Sequence, residues 1–253
     1  LTKYICMRYF INISYNGKNY HGWQIQKNAV SVQSTLQDVI SKILREEIVI
    51  LGSGRTDTGV HANSQVAHFD VKNKIENDFI FRVNSFLPHD ISINSLRRVK
   101  KDSNARFDAI SREYIYKIHD VKSPFMDGLS MLYGFNINKE LINDACSIIL
   151  NNKNFQSFSK VKTEVNNFNC IISHASLEKT ENNYLFRFCS NRFLRGMVRA
   201  LVGTLLQLNE EKINLEDFKN IFNKKNREYA GPSAPPYALY LNSVNYNSDI
   251  FYD

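Results

Sequence analysis

The sequence predicts an α+β protein built from two similar halves with mixed, mostly antiparallel sheets. Three observations carry that expectation. Strand-like alternation and helix-like periodicity succeed each other twice along the 253 residues. Strand candidates often follow one another directly, as around 171–190, which suits antiparallel pairing better than a doubly wound parallel sheet. The length sits near the upper limit for a single compact core, so two medium-sized units fit as well as one large one. The boundary is placed near residue 107, giving halves 1–107 and 108–253, although no Gly/Ser/Pro linker marks it.

The elements follow in order. Tyr9, Ile11, Ile13 and Tyr15 alternate and run into Asn16-Gly17, the pattern of a strand ending in a turn. Ser31 is a suitable N-cap for a helix whose apolar face is Val32, Leu36, Val39, Ile40, Ile43 and Leu44. Glu47 to Leu51 reads as a short β-branched strand that feeds a glycine-rich segment, Gly52 to Ala62, after which Gln65 to Val71 resumes as strand. Phe79, Val83, Phe86 and Leu87 mark a second amphipathic helix stopped by Pro88, and Ile91 to Val99 is a further strand. The second half repeats the style without repeating the sequence. It has a strand over Arg112 to Val121, a helix carrying Leu141, Ala145, Ile148 and Ile149, and strands over about 171–180 and 184–190. A strong helix from Phe193 to Leu208, a short one around Leu215 to Phe222 and a closing strand from Tyr237 to Tyr246 complete it.

Composition narrows the function classes. Hydrophobic residues at 43% and charged residues at 23% exclude a disordered or collagen-like chain. No apolar run reaches the roughly 18 residues of a membrane span; the longest candidate, Met197 to Leu208, carries Arg199. Leu1 to Arg8 lacks the apolar core and cleavage site of a signal peptide, so a cytoplasmic location is expected. The chain opens on Leu rather than Met, as a trimmed sequence would. Cys6, Cys146, Cys170 and Cys189 form no C-x-x-C pair and are expected to be reduced and mostly buried. The six histidines make no H-x-x-x-H pair or cluster with carboxylates, so no metal is expected. The excess of 32 Lys+Arg over 25 Asp+Glu suits a polyanionic partner without choosing one.

Gly52 to Ala62 is the segment that carries chemistry. Its three glycines allow tight turns and close approach of a ligand, and Arg55 and Asp57 are charges a plain connection does not need. A dinucleotide-phosphate loop fails because Asp57 stands at the third glycine of G-x-G-x-x-G, and no Gly-Lys-Ser/Thr follows to make a P-loop. Asp57-Thr58-Gly59 spells the D-T-G of aspartic proteases, but that mechanism needs two such carboxylates and one motif is present. A capped turn without function is the plain alternative.

The longer pattern decides. Gly54-Arg-Thr-Asp-Thr-Gly-Val-His-Ala62 resembles the G-R-T-D-x-G-V-H-A signature of the TruA-type tRNA pseudouridine synthases. Tyr15-Asn-Gly-Lys-Asn-Tyr-His-Gly-Trp-Gln-Ile-Gln26 is similar to that family's opening motif, and Val32-Gln33 follows in place. Gln65 to Phe69, Leu87 to Ile91, Ala105 to Ala109, Arg112 to Tyr116, Phe155 to Phe158, Phe193-Leu194, Met197 to Gly203, Ser233 to Pro235 and Leu239 to Leu241 come next in family order. The resemblance spans about Tyr9 to Tyr246. Departures are few: Asn16 replaces an Asp, Ser53 and Thr58 stand where Ala is common, and Ala238 takes a usual Gly, so the loop around Pro235–Tyr237 is expected to differ in shape.

The resemblance implies the pseudouridine synthase fold, two α/β-sandwich-like halves forming a central cleft, and an isomerase that converts uridine to pseudouridine in the anticodon stem-loop of tRNA, at the positions conventionally numbered 38 to 40. It implies no cofactor and no metal. Asp57 is then the essential carboxylate, either adding to C1′ of the ribose or removing the C2′ proton to give a glycal; the sequence leaves both routes open. An ionised carboxylate in a water-poor cleft needs a positive neighbour. Arg199 of the M-V-R motif matches that part, although Arg192, Arg195 and Arg199 also read as a plain basic stripe on a helix. By the same resemblance Arg55 contacts the RNA and helps displace the base, Tyr114 lies against the target uracil, and Arg106 is a further RNA contact. Tyr116, on the same strand face, is expected in the core. A ring at Tyr114 replaces stacking that an extruded base loses, worth roughly a few kcal/mol. Contact with about six phosphates gives a log–log salt slope of roughly −5. The family also implies a homodimer in which one tRNA touches both subunits, and with no appended RNA-binding domain this surface must supply the whole grip. An inactive tRNA-binding or tRNA-folding homologue is the alternative, disfavoured by the intact Asp57.

Overall fold

The computed structural model describes residues 6–252 apart from 162–164, 166 and 181–182. Residues 1–5, on which most of the leader reading rests, lie outside this set. The chain divides into two compact units. One runs to Ile110 and takes back the chain from Leu241; the other is Ser111–Tyr240. Return of the C-terminal strand to the first unit is a feature that a single cut near residue 107 does not include. The secondary structure is α+β, with mostly antiparallel sheets and helices packed on them, as expected.

In the first unit, β1 (Met7–Tyr15) lies between β3 (His61–Val71) and β4 (Ile91–Val99), antiparallel to both. The two-residue β2 (Leu51–Gly52) pairs with β3, and the closing strand β9 (Leu239–Tyr246) follows β3 in the order. Ile11 and Ile13 on β1, Ala67 and Phe69 on β3, and Ile93 on β4 are buried. The helix α1 (Val32–Leu44) begins in a capping box: Ser31 Oγ accepts the Ser34 N–H, and Ser34 Oγ accepts the Ser31 N–H. Val32, Leu36 and Ile40 are its buried face, while α2 (Phe79–Phe86) buries Phe79 and Val83. Pro88 ends α2 because its preceding residue is pushed to extended backbone, and Leu87 has ψ 149°.

The expected strand over 47–51 is reduced to β2. Ile48 and Ile50 are buried, but α1 satisfies their backbone in place of a ladder. The Ile48 N–H donates to Ser41 Oγ, the Ile50 N–H to Gln37 Oε1, and Gln33 Nε2 donates to the Ile50 carbonyl at 2.7 Å. The outer edge of β4 is covered by the chain's own end. Phe251 bridges to Val99, the Lys100 N–H donates to the Ile250 carbonyl, and the Arg97 guanidinium lies 3.6 Å over the Phe251 ring.

In the second unit, β8 (Tyr184–Ser190) lies between β5 (Ala109–His119) and β7 (Ile172–Lys179), antiparallel to both, and the short β6 (Met131–Leu132) runs parallel to β5. Phe186 and Phe188 stack beneath the sheet. The helix α3 (Lys139–Asn151) buries Ile142, Ala145, Cys146 and Ile149. The helix α4 (Met197–Asn209) is buried on nearly every side, which explains its almost uniformly apolar sequence. It starts four residues later than the apolar run suggests, because Gly196 takes a left-handed φ of 72°. Finally α5 (Leu215–Lys224) sets Phe218 and Phe222 against Phe155 and Phe158 in one aromatic cluster.

Candidate active site

The segment Gly52–Ala62, where the sequence leads us to expect the chemistry, connects β2 to β3 and is held by backbone and buried side chains around its length. At its entry the Ser53 N–H donates to the Val66 carbonyl at 2.7 Å, Ser53 Oγ donates to Gln65 Oε1, and Gln65 Nε2 donates back to the Gly54 carbonyl. At its exit the Val60 N–H closes a turn on the Asp57 carbonyl, with Gly59 at φ 77°. Four tight intervals thus fix a loop that has no ladder of its own.

The segment Tyr15–Gln26 forms the wall against which this loop is set. The Trp23 N–H donates to the Thr56 carbonyl, and the Tyr15 hydroxyl shares a 2.8 Å buried hydrogen bond with Thr56 Oγ1. The Gly17 N–H donates to Nδ1 of His61, itself buried, at 3.0 Å. Both glycines are required by the fit. A Cβ on Gly17 would overlap the Val60 carbonyl oxygen, and one on Gly22 would overlap that of Thr56, at a φ of 88° besides. The wall is anchored in turn: Tyr20 Oη donates to Asp90 Oδ1 at 2.5 Å and Asn19 Nδ2 to Asp90 Oδ2. Burial, aided by that carboxylate, pushes the Tyr20 phenol well above its usual range. Thr56 is therefore pinned through both side chain and backbone. Its neighbours are Arg55, exposed, and Asp57, half-buried.

Arg106 belongs to the same unit, in the turn Asn104–Asp108, and is exposed. That turn is tied to β3, since the Ala105 N–H donates to His68 Nδ1 at 3.1 Å. Burial first, and then Arg8, drive the His68 imidazole down to about 4, so it stands neutral as an acceptor.

Tyr114 and Arg199 belong to the second unit. Tyr114, half-buried on β5 opposite Phe188, meets the Phe193 ring edge-on with centroids 5.1 Å apart. Tyr116 is fully buried, as expected. Arg199, half-buried on α4, donates from Nε to the Ala234 carbonyl at 2.7 Å, and the Ala234 N–H donates back to the Arg199 carbonyl. One turn on, Gly203 receives the Pro232 carbonyl where a Cβ would overlap it, and Thr204 Oγ1 accepts the Gly231 N–H. The Ser233–Pro235 motif is thus clasped by the Met197–Gly203 motif. After it, Pro236–Ala238 is a short 3-10 turn with Ala238 fully buried.

Sequence reasoning assigned no part to Thr56, Tyr15, His68 or Gly203. All four lie inside recognisable motifs, yet pairing between segments about 30 to 40 residues apart has no sequence signal of its own. Among the described residues no group of three His, Cys, Asp or Glu side chains could hold a metal ion, and no helix is long and apolar enough to cross a membrane. Burial pushes the thiols of Cys146 and Cys170 up to about 12 and about 11, so neither offers a thiolate near neutral pH.

The sequence profile of a family described as tRNA pseudouridine synthase matches residues 11–108 and again 150–247, one segment in each half. The tRNA pseudouridine synthase A of Porphyromonas gingivalis is 43% identical over 250 residues, covering 96% of this chain and 99% of that protein. Those of Bacteroides thetaiotaomicron and Parabacteroides distasonis are 42% and 40% identical, each over 96% of this chain and over 92% and 98% of their own length. With identity at that level from end to end and a profile that fits both halves, the chain belongs to the tRNA pseudouridine synthase family.

Proposed function

We propose that the protein uses Asp57 to isomerise uridine in the anticodon stem-loop of tRNA, at positions 38 to 40, without metal or cofactor. Membership of the family makes the chain an isomerase that forms pseudouridine in tRNA; the carboxylate, the position and the absence of a cofactor are our reading. The observation that carries it is the setting of Asp57. It follows a threonine fixed by Tyr15 and Trp23 and precedes a turn closed on its own carbonyl, so its backbone is pre-positioned while the residue is only half-buried.

The reaction breaks the N1–C1′ bond, turns the uracil over, joins C5 to C1′, and moves one proton from C5 to solvent while N1 regains one. Nothing is oxidised or reduced, so a single well-held carboxylate and a site that retains the detached base meet its needs. The carboxylate either adds to C1′ or removes the C2′ proton. Arg55, exposed beside Asp57, Arg106 on its capped turn, and Arg199 are the proposed cations toward the RNA, and Tyr114 the ring against the uracil. Its edge-on contact with Phe193 limits the orientations of that ring. A homodimer acting in the cytoplasm completes the reading.

The test is to incubate the protein with unmodified tRNA transcripts in buffer containing a chelator and to map pseudouridine chemically. Formation confined to positions 38 to 40, undiminished by the chelator, is expected. Modification elsewhere in the tRNA would overturn the position, and a metal requirement would overturn the cofactor-free mechanism. Sizing in solution at micromolar concentration should give twice the chain mass, and a monomer would remove the dimer.

A further inference from the structure

The turn Asn104–Asp108 presents an aromatic ring to solvent from a backbone held by several hydrogen bonds. Asn104 Oδ1 accepts the N–H groups of both Arg106 and Phe107, Asp108 Oδ2 accepts the Asn104 N–H at 2.7 Å, and the Asp108 N–H returns to the Asn104 carbonyl. Below them Ala105 is fully buried, its N–H on His68 and its carbonyl receiving Tyr246 Oη at 2.6 Å. One buried residue thus roots the turn, and the next two are held outward. Phe107 is 76% exposed, with the Arg106 guanidinium 5.4 Å from its ring centroid.

A large apolar ring gains nothing from that position in the isolated fold, where burial is worth roughly 1.5–3 kcal/mol to it. Four local hydrogen bonds nevertheless fix the backbone from which it projects. We propose that Phe107, with Arg106 beside it, is a stacking platform for an unpaired nucleobase of the tRNA, separate from the uridine that reacts. The proposal rests on the family's tRNA substrate. An aromatic face flanked by a guanidinium is the combination that accepts a base without reading its identity, the ring by stacking and the cation by attraction to the adjacent phosphate and to the ring itself. A helical RNA offers no free base face, so the partner is a loop or bulge nucleotide.

The experiment uses the full chain and the variants Phe107→Ala, Phe107→Leu and Phe107→Trp. Loss of one stacked base corresponds to roughly 5- to 150-fold in affinity. Phe107→Ala should weaken tRNA binding, measured by filter retention, within that range, and raise the half-saturating tRNA concentration in step. Phe107→Trp should restore binding, and Phe107→Leu, which keeps apolar bulk without a π face, should not. The introduced Trp also reports directly, because the chain's single native tryptophan, Trp23, is buried. Its fluorescence should be quenched by tRNA and not by a blunt RNA duplex. Binding by Phe107→Leu equal to that of the parent, or equal quenching by the duplex, would overturn the platform. A change of oligomeric state in Phe107→Ala would also overturn it, in favour of a protein contact. Because these are binding measurements, they stand even if pseudouridine mapping fails the proposed reaction.

Discussion

Each unit of this molecule clamps one irregular loop, and the two clamps differ in where the charge resides. In the first unit the loop Gly52–Ala62 carries Arg55 and Asp57 itself, and the clamp around it is largely uncharged: Tyr15, Trp23, His61 and two glycines. In the second, Gly231–Pro235 carries no charged side chain, and the clamp supplies the cation, Arg199. Close approach is solved alike in both, by a glycine whose Cβ would overlap a loop carbonyl: Gly17 and Gly22 in one, Gly203 in the other. What differs is what a fault in the clamp does. A loosened first clamp displaces the proposed carboxylate directly, whereas a loosened second clamp displaces a neutral loop and leaves Arg199 on its helix. Reaction rate should therefore be more sensitive to the first clamp than to the second at equal cost in stability.

The widest separation is expected from the glycines. Gly22→Ala meets both a carbonyl and a left-handed φ, and Gly203→Ala meets a carbonyl alone, so each should cost about 2–3 kcal/mol in urea unfolding, with Gly22→Ala the larger. Gly22→Ala should also remove most of the pseudouridine-forming rate. Equal rates in the two variants would break the comparison. Next is Arg199→Ala, which removes a hydrogen bond from a charged donor to the Ala234 carbonyl, worth about 1.5–3 kcal/mol. It should lower the rate more than tRNA affinity, and an unchanged rate would reduce Arg199 to an anchor for the loop. Thr56→Val deletes the bond to Tyr15 at about 1 kcal/mol of stability and should lower the saturated rate severalfold, with Thr56→Ser restoring it. A stability loss without a rate loss would show that the clamp does not position Asp57.

A pH dependence is expected from His68 of the first unit, and it touches stability alone. His68 is neutral in the fold with its pKa near 4, whereas the unfolded chain takes up that proton near 6.5. Between those values the unfolded state binds more protons. Stability is therefore complete above about pH 6.5 and falls as the pH drops toward 4, by roughly 1 kcal/mol per pH unit. Urea unfolding at pH 7.5 and pH 5 should show the loss, and His68→Gln should flatten it; an unaltered slope in that variant would assign the effect to other groups.

Much of this was legible from residues alone, for reasons the structure makes plain. The strand Ile91–Val99 and the helix Val32–Leu44 have the predicted bounds, because period, cap and stop signals agree there. The segment 47–51 has the composition of a strand, but Ser41, Gln37 and Gln33 supply its hydrogen bonds, and composition does not tell a side-chain partner from a ladder. The start of α4 was blurred because Phe193 and Leu194 continue an apolar pattern that Gly196 interrupts. At the site, Asp57 and Arg55 stood out as charges in a glycine-rich turn. Thr56, equally placed, did not, since a hydroxyl becomes informative only when the atom it meets is known.

The central claim is that Asp57 performs the isomerisation. Single-turnover pseudouridine formation by Asp57→Asn, with tRNA affinity and urea stability measured on the same preparation, tests it most directly. The account predicts no detectable pseudouridine from a folded preparation whose tRNA affinity is close to that of the parent. Retained turnover in that variant would contradict it.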